Sequence, residues 1–529
     1  MRDFELPGRS EAFGTRGMAA TSHPWATFTA LEILRKGGNS IDAAVAAMAL
    51  LGVIEPTQTG IGGDCFALLM LGGEGEVIAL NGSGWAPEAA SLDYYESHGI
   101  TAIETESAHA VSIPGAVAAC ARLVADHGTM EFAALLQPAI EAADQGYPVT
   151  ERVARDWAKQ VDKLKRNPAA AKTFLFDGAA PQPGTIHRQP QLAAALRSIA
   201  ADGPAAFYDG WIADDMVEAL RALGGLHTRD DFASYAPEYV DPICADYRGY
   251  RLWECPPNGQ GVTPLLMAKA LEGFDPAAWR HDSAERYHVM AELGRQAFAD
   301  RDCFVGDPRM GAPSAEALNA DARAAKMRAG VSFRGRIEDL TPVPMPEHRD
   351  TAYLAVVDKD RNTVSLINSI FDDFGCGIVS PRSGIMFHNR AGGFVLTRGH
   401  ANAIAPRKRP LNTIIPALLT RDGKAVMAFG VTGGHFQPFG QIQIMTNILD
   451  YGMGIQESID QPRIFARGDH FTVEGTVPSA AVDGLRKLGH NVTRAENPLG
   501  TAHAVWIDWD NGLLRGGADG RRDGIALGW

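Results

Sequence analysis

The sequence predicts an α+β fold built as one large domain, on three observations. β-rich runs lie near both ends of the chain, helical periodicity fills the stretch between them, and no internal repeat or low-complexity tract divides the 529 residues. Strands so far apart in sequence are most simply joined in one sheet system. Length alone would allow about two to four domains, so the single unit is inferred from pattern and not from size.

Each element can be justified in order. Positions 26–35 and 41–51 repeat apolar residues at helical spacing on either side of Lys36-Gly37-Gly38-Asn39-Ser40, which predicts a helical hairpin. Gly37 or Gly38 can stop its first arm, and Ser40 can cap the second. A glycine turn, TGIGGD, then precedes β-rich runs at 65–71 and 76–81 joined by a Gly-rich turn. From about 115 to 300 the pattern is mainly helical, with helices expected at 116–127, 130–146, 150–165, 192–203 and 287–301 that cover the sheet. Pro342, Pro344 and Pro346 exclude both helix and central strand from 339–350, so a loop is predicted there. TAYLAVVD and TVSLINSIF follow at once, linked by Lys359-Asp360-Arg361-Asn362, and a hairpin therefore begins at Thr351. Further strands are expected at 384–388, 414–419, 426–431 and 503–509, and helices at 440–451 and 480–488.

Composition excludes several classes of function. A net charge of −14 without any run of five or six like charges gives no basic footprint for nucleic acid or an anionic membrane. The most apolar stretch, 41–54, carries Asp42 and ends at Glu55-Pro56, which reads as a buried helix and not a membrane span. MRDFELPGRSEAFGTRG has charges where a secretory signal needs an apolar run, so the expected location is cytoplasmic. Six cysteines without CxxC spacing suggest reduced, mostly buried thiols. The 15 histidines form no HExxH or comparable cluster, which disfavours a metallohydrolase.

Motifs spread over nearly the whole chain carry a resemblance. TSHPWATFTALEILRKGGNSIDAAVAAMALLGVIEPTQTGIGGDCF, IPGAV, CPPNGQG and MAELGRQAFADRDCFVGDP come first. DTAYLAVVDKDRNTVSLINSIFDDFGCGIV, RPLNTIIP, VTGGHFQ and QPR follow. In this order they resemble the γ-glutamyltranspeptidase family, a branch of the N-terminal-nucleophile hydrolases. The resemblance implies a four-layer αββα sandwich, made as one precursor and cut by its own nucleophile between Asp350 and Thr351. Residues 1–350 and 351–529 would stay associated as large and small subunits, and a dimer of such pairs is compatible with it.

The chemistry explains why a cut is needed. A threonine hydroxyl is a poor nucleophile when nothing nearby takes its proton. Breaking the bond before Thr351 frees an α-amino group on the same residue, with a reference pKa of about 7.7 to 8.0. One residue then holds nucleophile and base, and no metal or other cofactor is called for. The cut itself requires the hydroxyl to add to the preceding carbonyl and rearrange to an ester that water opens.

Other roles come from the resemblance. Gly433-Gly434 matches the pair whose backbone N–H groups hold the tetrahedral oxyanion. Ser369 matches a hydroxyl that hydrogen-bonds the nucleophile, and Asn412-Thr413 takes the place of a serine pair touching the acyl donor. Two charges expected of γ-glutamyl recognition are missing. Ser83 or a neighbour stands where an arginine would hold the donor's carboxylate, and Gly392-Gly393 stands where acidic residues would hold its amino group. Phe371 replaces a polar contact residue. A zwitterion left unpaired there would cost several kcal/mol. Arg390, close to the missing acids, is expected to offer a fork to the carboxylate of a smaller or differently shaped donor, and His435 to line the same pocket. The expected substrate is a small-molecule amide: a γ-glutamyl compound, an amide acid such as oxamate, or a cephalosporin-type acyl donor, with an amino acid or dipeptide as acceptor. A reading of another class is an unprocessed relative that serves as a binding or assembly component.

Overall fold

The strand Ala352–Val357 is buried on both faces. Ala352, Leu354 and Val356 pack with the helices Pro24–Arg35 and Ser40–Ile54, while Tyr353, Ala355 and Val357 pack with side chains of another sheet. Period-two alternation with apolar residues at every position is what a strand between two layers requires. The computed structural model describes residues 5, 8–338, 340 and 351–529. Of the predicted loop at 339–350, Asp350 included, all but Leu340 lies outside the described residues.

Two seven-stranded sheets form the middle of the molecule. In the first the order is Ile525–Gly528, Met18–Thr21, Ala352–Val357, Thr363–Ser369, Asp64–Met70, Ile78–Gly82 and Glu238–Val240. The second runs Ala12–Gly14, Leu513–Ala518, Ala502–Asp508, Lys424–Val431, Ala417–Arg421, Tyr250–Glu254 and Ile243–Tyr247. All the pairings in both are antiparallel. Phe66, Leu68 and Tyr353 meet Leu418, Ala428, Val505 and Leu514 between the sheets. On the outer face of the second sheet, Leu419, Met427 and Phe429 pack under the helices Val262–Leu271, Ala284–Phe304 and Gln437–Leu449. Helix, sheet, sheet, helix is the four-layer αββα order, and both sheets mix segments from before and after position 351.

The predicted hairpins are present. Thr363–Ser369 pairs with Ala352–Val357 and with Asp64–Met70, and Asp64–Met70 pairs with Ile78–Gly82. The helical hairpin is present too, but Asn39 caps its second arm in place of Ser40: the Asn39 side chain accepts from the Ile41 and Asp42 N–H groups, and the Asp42 carboxylate accepts the Asn39 N–H in return. Helix 130–146 is split into Phe132–Leu135 and Gln137–Gln145, with Pro138 in the first turn of the second piece, where its missing N–H costs nothing. Helix 150–165 is likewise two, Glu151–Ala158 and Val161–Lys165. The stretch read as mainly helical also holds the edge strands Glu238–Val240 and Ile243–Tyr247, and Tyr250–Glu254 one place in from the second, where charged and half-exposed residues blur the alternation. Positions 384–388 are not a strand; Gly384 turns at φ 69°, and Met386 makes only a single bridge to Val379.

The helix Ser40–Ile54 is buried around nearly its whole circumference, as an interior helix should be. Among the described residues no helix is long and apolar enough to cross a membrane. All six cysteines are free, with Cys65, Cys255 and Cys376 buried.

One buried group conflicts with its surroundings. Glu254, at the end of its strand, is fully buried and neither carboxyl oxygen has a hydrogen-bond partner. Burial pushes its carboxyl well above the usual range, opposed by the nearby Gln441 side chain. An acid held neutral in the native state costs stability as pH rises above its unfolded pKa of about 4.3, because the unfolded chain then sheds a proton that the folded chain keeps. Glu254→Gln is therefore expected to match wild type in thermal melts near pH 4 and to melt higher at neutral pH, with the gap widening as pH rises between them.

Candidate active site

Thr351 is fully buried and lies immediately before the Ala352–Val357 strand. The ladder sets Ala352 against Asn368, so Thr351 falls beside Ser369, and Ser369 is in turn opposite Asp64. Alternation turns all three toward the second sheet, since Tyr353, Ile367 and Phe66 at the same parity pack between the sheets. The Thr351 and Ser369 hydroxyl oxygens are 3.5 Å apart. Ser369 Oγ also accepts the Phe371 N–H at 2.8 Å. The glycines before Asp64 permit this approach: a Cβ at Gly63 would sit 2.4 Å from the Ser369 carbonyl oxygen.

Across the gap, Lys424–Val431 ends in Thr432 and then Gly433-Gly434, whose φ values of 105° and 57° both lie in the left-handed region that favours glycine. The chain continues through a tight turn into Gln437–Leu449. Gln437, buried at the start of that helix, donates from Nε2 to Thr351 Oγ1 at 3.3 Å, while its Oε1 accepts the Ile415 N–H at 3.0 Å. Gln260 ties the same region together by donating to the carbonyls of Thr413 and Gly434. His435 is buried against Arg301, whose Nη1 lies 3.0 Å from His435 Nδ1. Burial lowers the Arg301 guanidinium to about 10 despite Asp302 beside it.

Asp64 is the electrostatic centre of the site. Its carboxylate accepts the Gly84 N–H at 3.0 Å, Arg390 Nε at 3.1 Å and Asn412 Nδ2 at 3.1 Å, with His388 Nδ1 at 3.5 Å. Burial would raise this carboxyl, but His388, Arg390 and the Gly84 N–H together hold it below the ordinary carboxylate range. Arg390 is lowered to about 10 by burial, opposed by Asp64. Its Nη1 donates to Thr413 Oγ1 at 3.0 Å, its Nη2 is buried without a partner, and its guanidinium lies 4.5 Å over the Phe371 ring. The fork expected of Arg390 is thus partly used, with one arm left. Phe371 holds φ at 79°, a costly conformation for a residue with a side chain, which puts its N–H on Ser369 and its ring under Arg390. Ser83 is buried and hydrogen-bonded to Asn81 and Asn258, and Gly392-Gly393 lies in a buried turn that starts at Arg390.

Hydrogen bonds tie Thr351 to Ser369 and Ser369 to Phe371, Arg390 and Asn412 to Asp64, Arg390 to Thr413, and Thr413 through Gln260 to Gly434, which lies between Gly433 and His435. Asp64, His388, Gln260 and Gln437 had no assigned role in the sequence. Asp64 and Gln437 sit inside TGIGGD and VTGGHFQ, and a lone acid between glycines and an apolar strand is the signal that could have marked the first. Elsewhere among the described residues, His288, Glu292 and His490 come together as metal-ligating types. Arg295 Nη1 already occupies Glu292 Oε1 at 2.7 Å, and His288 Nε2 meets the Ser332 carbonyl, so the group is a hydrogen-bonded anchor for the chain at 332–337.

Comparison with known proteins agrees with the four-layer fold. A family model described as γ-glutamyltranspeptidase matches residues 26–529. The glutathione hydrolase-like YwrD proenzyme of Bacillus subtilis is 36% identical over 525 residues, covering 97% of this chain and 99% of that protein. The oxamate amidohydrolase proenzyme of Klebsiella pneumoniae is 33% identical over 538 residues, covering 98% and 100%. The crystal structure of a cephalosporin acylase from Bacillus halodurans superimposes with a TM-score of 0.93 at 37% identity, over 100% of this chain and 99% of that one. The chain therefore belongs to the γ-glutamyltranspeptidase family, and is a self-processing N-terminal-nucleophile hydrolase that acts on amide bonds.

Proposed function

We propose that Thr351 is the nucleophile, that the chain is cut between Asp350 and Thr351, and that the donor is a small amide acid carrying a free carboxylate. The observation that supports this best is the row Thr351, Ser369, Asp64 across three paired strands, with Asp64 holding Arg390 in place. In this reading the Thr351 hydroxyl attacks the amide carbonyl, its proton passes to the Thr351 α-amine, and the carbonyl electron pair is received by N–H donors at Gly433-Gly434. Ser369 steadies the attacking oxygen. The amine leaves with a proton, and water or an amino-acid or dipeptide acceptor then releases the acyl group. Residues 1–350 and 351–529 stay together because Met18–Thr21 and Asp64–Met70 pair directly with Ala352–Val357 and Thr363–Ser369.

The donor follows from the charges. Asp64 offsets Arg390, Asp372 also acts on the guanidinium, and Arg390 Nη2 retains a donor for one more carboxylate oxygen, which favours a donor with a free carboxylate. Asn412, Thr413, Phe371 and His435 shape the rest of it. A relative named oxamate amidohydrolase is in keeping with a donor that lacks an α-amino group.

Intact mass spectrometry is expected to find wild type as two pieces meeting at 350/351 and Thr351→Ala as one inactive chain. A variant still cut at that bond would remove Thr351 from the mechanism. On a panel of oxamate and a γ-glutamyl anilide, turnover of oxamate with silence on the anilide is expected, and the reverse would assign a γ-glutamyl donor. Arg390→Lys keeps a cation beside Asp64 but withdraws the planar fork; kcat/KM for oxamate should fall about tenfold or more, mainly through KM, with self-cleavage little changed. An unchanged KM would exclude the proposed contact.

A further inference from the structure

We infer that Gln437 is a positioning residue that decides where the Thr351 hydroxyl proton can go; this rests on the reading of Thr351 as nucleophile. The amide of Gln437 has an accepting end and a donating end, and its orientation follows from its neighbours. The Ile415 N–H can only donate, so the end that meets it at 3.0 Å is Oε1. Nε2 is then the end at Thr351 Oγ1, 3.3 Å away, and it can only donate. One lone pair of the threonine oxygen is therefore engaged from the helix side. Its own hydrogen must point elsewhere: toward Ser369 Oγ in the intact chain, or toward the α-amine once the chain is cut.

The amide is braced. Gln441, one turn further along the same helix, donates from Nε2 to the Ile415 carbonyl at 3.0 Å. Two glutamines thus hold the N–H and the carbonyl of one residue, Ile415, in successive peptide units, and the first of them also reaches the hydroxyl. Ile415 belongs to the segment carrying Asn412 and Thr413, and Thr413 holds Arg390. The same strut links the donor pocket to the attacking atom. When Oγ1 bonds to the acyl carbon its proton moves to the amine, and when the acyl-enzyme opens the C–Oγ1 bond breaks and the proton returns. A fixed N–H on Oγ1 favours each step in which that oxygen carries negative charge.

The test uses self-cleavage of purified full-length precursor, which needs no added donor, followed on denaturing gels across pH. Gln437→Met keeps the length and removes the donor; it is expected to slow cleavage at least about tenfold while its thermal melt stays near wild type. Gln437→Glu separates positioning from packing. A neutral carboxyl can accept from Ile415 and still present an O–H to Thr351, whereas a carboxylate has nothing to donate. Its rate relative to wild type should therefore recover as pH falls through the carboxyl's titration. Cleavage of Gln437→Met within twofold of wild type, or a Gln437→Glu ratio flat with pH, would overturn the inference. Thr351→Ala, run alongside, tests the nucleophile by itself: cleavage there defeats the underlying reading, while an uncut Thr351→Ala beside a fast Gln437→Met defeats only the role of Gln437.

Discussion

The register of three adjacent strands is the constraint on which the site depends. Ala352 opposite Asn368, and Ser369 opposite Asp64, bring a hydroxyl, a second hydroxyl and a carboxylate abreast. A slip of one residue in either pairing would turn one of these side chains toward the helical layer. The packing forbids such a slip, because every residue of Ala352–Val357 is buried and its two faces meet different clusters. The cores on either side of the sheet thus define the active-site geometry as much as the polar residues do.

Charge is handled in the same economical way. Asp64 and Arg390 are both wholly buried, and an ion pair in that position is helped by the further hydrogen bonds that Gly84, Asn412 and Thr413 make to it. Arg390 Nη2 and His388 Nδ1 are left without a hydrogen-bond partner beside the pair. Polar groups left unpaired in a dry site are costly, and at a binding site they mark where a ligand completes the network. The strained Phe371 serves the same arrangement, since its backbone serves Ser369 and its ring supports the guanidinium.

Much of this was legible in the sequence, for reasons that differ by residue. The hairpin after Thr351 and the pair at Gly433-Gly434 stand out because β-branched alternation and doubled glycine leave strong local signals. Motif order supplied the family and the layered fold. The strands between Glu238 and Glu254 were hidden by half-exposed polar residues, and the breaks near Leu136 and Lys159 by apolar spacing that continues through them. Asp64 and Gln437 were readable as letters but not as roles. Their partners lie hundreds of residues away in one case and across the sheet gap in the other, and periodicity carries no information about such contacts.

The mixing of chain segments in both sheets has a consequence for assembly. Met18–Thr21 lies between Ile525–Gly528 and Ala352–Val357, and Ala12–Gly14 closes the far edge of the second sheet against Leu513–Ala518. Neither portion alone could complete a hydrogen-bonded layer, and each would expose bare ladder edges that invite aggregation. The intact polypeptide is thus the template on which both layers are woven. If the chain is cut where we propose, pieces from different molecules could be exchanged only by unravelling both sheets, and one-to-one stoichiometry would be inherited from translation and not from recognition.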